Sequence, residues 1–165
     1  DAPSAAGSPG GIDQAANSFW RNNTSGDVTI TYGWASVIQG EMNSMWLACL
    51  RGADSTNLIV GDSATYTGYW ESLQANQRFT SPKYGEAGFD SLMFKSAPVV
   101  YAAGAATNHM YFLNTNYIRF RKSPGRFFSD EAPQVVQSAD YVLFPNWTMG
   151  NLTMNDRARQ GVIYS

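Results

Sequence analysis

Residues able to do chemistry are few in this 165-residue chain, and their spacing assembles no reactive centre. His109 is the only histidine. It lacks the companions that a zinc site or a Ser-His-Asp arrangement requires, and ahead of Met-Tyr-Phe-Leu it marks a strand entrance. Cys49, the single cysteine, falls on the apolar stripe of a predicted helix. A small buried thiol packs there, whereas a nucleophile needs a nearby base and a depressed pKa. Glu41, Glu71, Asp90, Asp130 and Glu131 form no recognisable pair in sequence, although folding can join distant carboxylates. Gly61-Asp-Ser-Ala lacks the second glycine and the lysine of a phosphate loop. Asn22, Asn23, Asn146 and Asn151 each begin a match to the N-glycosylation pattern, read here as chance in an Asn- and Thr-rich chain. The sequence therefore predicts no catalytic residue, no metal ligand and no cofactor.

The cations are more ordered. Arg119, Arg121, Lys122 and Arg126 run along one predicted strand region, and Arg157 and Arg159 follow near the end. Alternate residues of a strand share a face. Such a face has three readings: pairing with acidic residues of a neighbouring subunit, plain solvation, or contact with nucleic-acid phosphates. All six are carried forward as candidate inter-subunit contacts.

The elements that position these residues follow from periodicity. Alternation at 28–32 predicts a strand entered from a polar turn at 22–27. Trp34 to Arg51 reads as a helix whose stripe is Ile38, Met42, Met45 and Cys49, widened by Trp46 and Leu50 and closed at Gly52. Asn57 to Val60 is a short strand. Asp62 or Ser63 caps a second helix running to about Phe79, with Tyr66, Tyr69, Trp70 and Leu73 inward. Turn signals at Ser81-Pro82 and Gly85 to Gly88 precede a change of character. The later segments are mostly strands: 92–94, 99–101, 110–113, 117–121, 141–144, 151–154 and 162–164. Pro124-Gly125 and Asp130 to Pro133 read as loops. Helices on one side of a mostly antiparallel sheet make an α+β domain. Phe112, Ile118 and Phe120 are its expected core or sheet-interface residues.

Composition narrows the class. The length suffices for a domain with a real core. The aromatic share is 14%, with five Trp, which supplies contact area for cores and interfaces. A net charge of -2 argues against a free-standing nucleic-acid binder. No apolar run approaches the roughly 20 residues of a membrane helix. One cysteine forms no internal disulfide, which suits a reducing cytoplasm. The first eleven residues have linker composition, and the chain reads as a fragment of a longer protein.

Four segments carry a resemblance: GGIDQAANSFWRN (Gly10–Asn22), GFDSLMFKSAPVVY (Gly88–Tyr101), MYFLNTNYI (Met110–Ile118) and GNLTMNDRARQGVI (Gly150–Ile163). In this order they resemble major capsid proteins of tailed bacteriophages with the Hong Kong 97-type fold. The resemblance implies a non-enzymatic shell subunit that forms pentamers and hexamers and closes into an icosahedral head around DNA. It implies an axial domain of helices on a central mixed or antiparallel sheet, plus part of a peripheral domain. Soft boundaries follow: 1–31 linker and peripheral remnant, 32–128 axial, 129–154 peripheral strands, 155–165 a final strand returning to the axial domain. The N-terminal arm, extended loop and spine helix of the family are not visible, so a C-terminal fragment is expected. Implied partners are further copies of itself, scaffolding, portal or decoration proteins, and packaged DNA held mostly non-specifically, with no membrane. The expected location is the virion, after assembly in the host bacterial cytoplasm. Two alternatives remain: an encapsulin-type compartment shell, and a carbohydrate-binding or hydrolase module using exposed Trp and Tyr.

Overall fold

A computed structural model describes residues 7–26, 33–73, 92–135 and 140–165. The expected strand at 28–32, the second helix beyond residue 73 and the turn signals between 81 and 88 lie outside those residues. In chain order the elements are β1 (Asn23–Ser25), α1 (Ile38–Cys49), β2 (Leu58–Gly61), α2 (Ser63–Ser72), β3 (Leu92–Phe94), β4 (Ala97–Tyr101) and β5 (His109–Leu113). They continue with β6 (Ile118–Asp130), β7 (Gln134–Val135), β8 (Val142–Leu143), β9 (Asn146–Met154) and β10 (Gly161–Tyr164). Two compact units result: Asp1–Thr115 with Asp156–Ser165, and Asn116–Asn155.

In the first unit six strands form a mixed sheet in the order β1-β10-β5-β2-β4-β3. β1 runs parallel to β10 and β2 parallel to β4, while the other neighbours are antiparallel. The register explains the core. Ile59 pairs with both Phe112 and Val99, and Met110 pairs with Ile163 and Gly61, so one face carries these side chains together. That face meets Ile38, Met42, Met45 and Cys49 of α1, together with Tyr69 and Leu73, in one buried cluster. The helical stripe read from the sequence is thus the core stripe. Each such aliphatic or aromatic side chain contributes about 1.5–3 kcal/mol on burial.

Three boundaries move for physical reasons. The predicted polar turn at 22–27 contains β1, because its backbone pairs with β10 whatever its side chains are. Trp34–Ser36 forms a separate 3-10 turn before α1, and the helix ends at Cys49, before the predicted glycine stop. Leu50 is extended, and the Arg51 guanidinium donates to the Ala48 and Leu50 carbonyls, satisfying the helix end as a cation should. Gly52, at φ +63, instead serves the tight turn between Arg51 and Asp54. The third change is Pro124-Gly125, which lies inside β6 as an irregularity in its pairing with β9. Proline is tolerated there because a two-stranded ribbon leaves one side of each strand unpaired.

Asp62 caps α2 as the sequence predicts. Its carboxylate accepts from the Thr65 amide (3.0 Å), the Thr65 hydroxyl (2.7 Å) and the Asn108 amide (2.9 Å). Burial alone raises the pKa of this carboxyl, but the hydrogen bonds outweigh it and hold the group below its usual 3.8. A depressed folded-state pKa means that the stabilisation is present above pH 3.8 and is lost as pH falls through the folded-state value. Asp62→Ala is expected to cost about 2–3 kcal/mol, from the lost cap and the orphaned donors. Urea titration checks it, and Asp62→Asn should flatten part of the acid limb of a stability–pH profile.

A candidate subunit interface

The reactive residue types found in the sequence are placed as packing groups. His109 sends Nδ1–H to the Thr107 carbonyl (2.7 Å) and stacks on Tyr164 and Tyr111, with centroids 5.5 and 6.0 Å away. Burial pushes the Cys49 thiol up to about 11, against smaller opposing effects of Asn23 and Arg51. A thiol held so far above neutrality is a poor nucleophile. Glu41 accepts from the Ser25 hydroxyl.

The structure divides the six candidate cations. Arg159 bonds Asp54 and Asp156 (2.8 Å to the latter), and both ion pairs lie within the first unit. Arg157 is half-buried, its pKa lowered by burial, and it donates to Asn22 (3.2 Å). These two arginines therefore tie the loop before β10 to Asp54 and Asn22 of the same unit. Arg119, Arg121, Lys122 and Arg126 are all exposed, and all lie on β6 in the second unit.

That second unit is a ribbon. β6 and β9 pair antiparallel from Ile118–Met154 at one end to Asp130–Asn146 at the other, and β7 and β8 form a short additional pair. Opposite Arg119, Arg121 and Lys122 stand Thr153, Asn151 and Gly150, none of them charged. Because side chains alternate, Arg119 and Arg121 share a face with Thr153 and Asn151, while Phe120, Lys122 and Leu152 take the other. The Phe120 ring lies against Gly150, where an added Cβ would fall 2.3 Å from it and push the exposed ring aside. Phe120 leans on Phe127 (5.7 Å between centroids), Phe127 on Phe128 (4.8 Å), and the Lys122 ammonium lies over Phe127 (5.6 Å).

This aromatic face is open. Phe120 is 55% exposed, Phe128 69% and Leu152 67%, so Phe120 is not the core residue that its alternation predicted. Of the three expected core positions, Phe112 is fully buried and Ile118 is half-buried. The alternating pattern is there, but among the described residues no α-helix of the ribbon's own unit covers it. A two-stranded ribbon is marginal in water by itself, and exposed large apolar groups mark contact surfaces.

Sequence reasoning missed the far end of the ribbon. Asn146 donates to Asp130 (2.7 Å) and the Trp147 indole to Glu131 (2.7 Å), which fixes two carboxylates beside Arg126 around an open hollow of ≈ 330 Å³. Its volume suits a small ligand, yet among the described residues Trp147 is the only large apolar side chain lining it, which is unlike the mostly apolar sites that hold small molecules. The signal available in the sequence was segregation of charge: four cations from Arg119 to Arg126, then three acids from Asp130 to Asp140.

No protein-family model and no curated protein matches the chain. Among solved structures, the chain is similar to a cyanophage A-1(L) capsid asymmetric unit, at 15% identity and a TM-score of 0.54. The likeness covers 93% of this chain and 54% of that one, so the chain spans about half the length of its structural neighbour. The fold is α+β and capsid-like, with two helices against a central mixed sheet.

Proposed function

We propose that the chain is a structural subunit of a tailed-bacteriophage head, built on the Hong Kong 97-type fold and assembling with copies of itself. The observation that carries the reading is the capsid-like fold over nearly the whole chain. The open aromatic ribbon supports it, because a subunit repeated many times needs extended complementary surfaces. On this reading pentamers and hexamers close into an icosahedral shell around the genome. The axial domain comprises 32–128 with 155–165, and the peripheral domain 1–31 with 129–154. The chain acts without catalysis, and its exposed cations Arg119, Arg121, Lys122 and Arg126 lie at subunit contacts. Scaffolding, portal or decoration proteins meet the assembled shell, and DNA is enclosed without sequence readout. Among the described residues, no helix is long and apolar enough to cross a membrane.

Negative-stain electron microscopy and light scattering test this on the product of the complete gene, across protein and salt concentration. Rings or closed shells are expected. A product that stays monomeric with and without co-expressed scaffold would overturn the reading. Shells that package a protein cargo in place of DNA would move it to a cellular compartment.

A further inference from the structure

We infer that the β6–β9 ribbon docks against the same ribbon of a second copy, running in the opposite direction, so that Arg121 and Lys122 of each meet Asp130 and Glu131 of the other. The inference rests on the self-assembly reading and specifies its surface.

Charge complementarity within the ribbon carries the argument. Arg119, Arg121 and Lys122 sit toward the Ile118–Met154 end, and Asp130 and Glu131 toward the Asp130–Asn146 end with Arg126 beside them, so one end is positive and the other net negative. β9 contains no charged residue, so the charges of β6 have no opposite across the ribbon. Among the described residues no ion pair engages Arg119, Arg121, Arg126, Asp130, Glu131 or Asp140; the ion pairs found lie in the first unit. Hydrogen bonds from neutral Asn146 and Trp147 orient Asp130 and Glu131 without cancelling their charge. A strip that is positive at one end and negative at the other is complementary to itself when reversed. A two-fold arrangement satisfies both sets of charges at once, because each contact then occurs twice. Because Arg121 and Lys122 lie on opposite faces, the contact runs along the ribbon edge, beside the Phe120 and Leu152 side chains that an isolated ribbon leaves in water. A nucleic-acid partner fits less well: phosphates would meet Asp130 and Glu131 as well as the arginines. A different protein would need a complementary dipolar strip of its own.

The test uses two variants of the whole chain, Arg121→Glu/Lys122→Glu and Asp130→Lys/Glu131→Lys, in sedimentation velocity at low salt. The first makes the strip net negative and the second makes it positive from end to end, so each should weaken self-association at least about tenfold, whereas an equimolar mixture should regain wild-type association to within about threefold. Because Asp130 and Glu131 hold Asn146 and Trp147, far-UV circular dichroism and Asp130→Asn/Glu131→Gln accompany the second variant. The neutral variant should weaken association less than the reversed one. Wild-type chain that stays monomeric near 1 mM (about the weakest dimer such a contact would give) overturns the inference. Variants that associate like wild type, or a mixture that stays apart, overturn it too. Shells that still form from either charge-reversed variant would sink this contact and leave the capsid reading standing. Charge-dependent dimers from a gene product that never forms shells would do the reverse.

Discussion

Phe112→Ala should destabilise the chain by about 3–5 kcal/mol, while Phe120→Ala, in a strand of the same alternating character, should cost less than about 1 kcal/mol. Phe112 has no exposed surface and pairs with both Ile59 and Gly161, at the centre of the sheet beneath α1. Truncation there removes the buried ring and leaves a cavity that strands on both sides keep from collapsing. Phe120 is half in water, supported by Phe127 and the flat surface of Gly150, so the neighbours close over the loss. Urea unfolding followed by tryptophan fluorescence, which reports on buried Trp34 and Trp46, checks the pair. Equal costs would mean that the ribbon is packed within the monomer, and the interface reading would lose its main support. The Phe120 effect should grow once copies associate, since the contact then runs beside its ring.

Gly68→Ala should destabilise by about 2 kcal/mol or more although alanine is the better helix former by about 1 kcal/mol. A Cβ at Gly68 would lie 2.3 Å from the Trp34 Cβ and 3.2 Å from the backbone of Trp34 and Ala35. Those atoms cannot swing aside, so α2 and the 3-10 turn at Trp34–Ser36 would have to separate and disturb the buried indole. Gly40, in α1, supplies the opposite sign. Nothing lies within 4 Å of its added Cβ, and Gly40→Ala should stabilise by about 0.5–1 kcal/mol through helix propensity and a less flexible unfolded chain. Thermal and urea unfolding of the two variants, side by side, separate packing from propensity. Stabilisation in both would show that the approach of α2 to Trp34 is looser than these distances state.

The sequence by itself determined the elements whose signals are local. The α1 stripe from Ile38 to Cys49, the Asp62 cap and the alternation of β5 need only neighbours a few residues away, and all three stand in the fold. Tertiary structure decided what periodicity cannot encode, namely which face has something to pack against. Phe112 and Phe120 alternate alike, yet one lies under α1 and the other on an open ribbon. Arg159 and Arg121 are both arginines near predicted strands. Asp54 lies 105 residues before Arg159, and only the folded chain brings the two together. Burial and ion pairing are decided by contacts between segments far apart in sequence, whereas turns, caps and stripes are decided within a few residues.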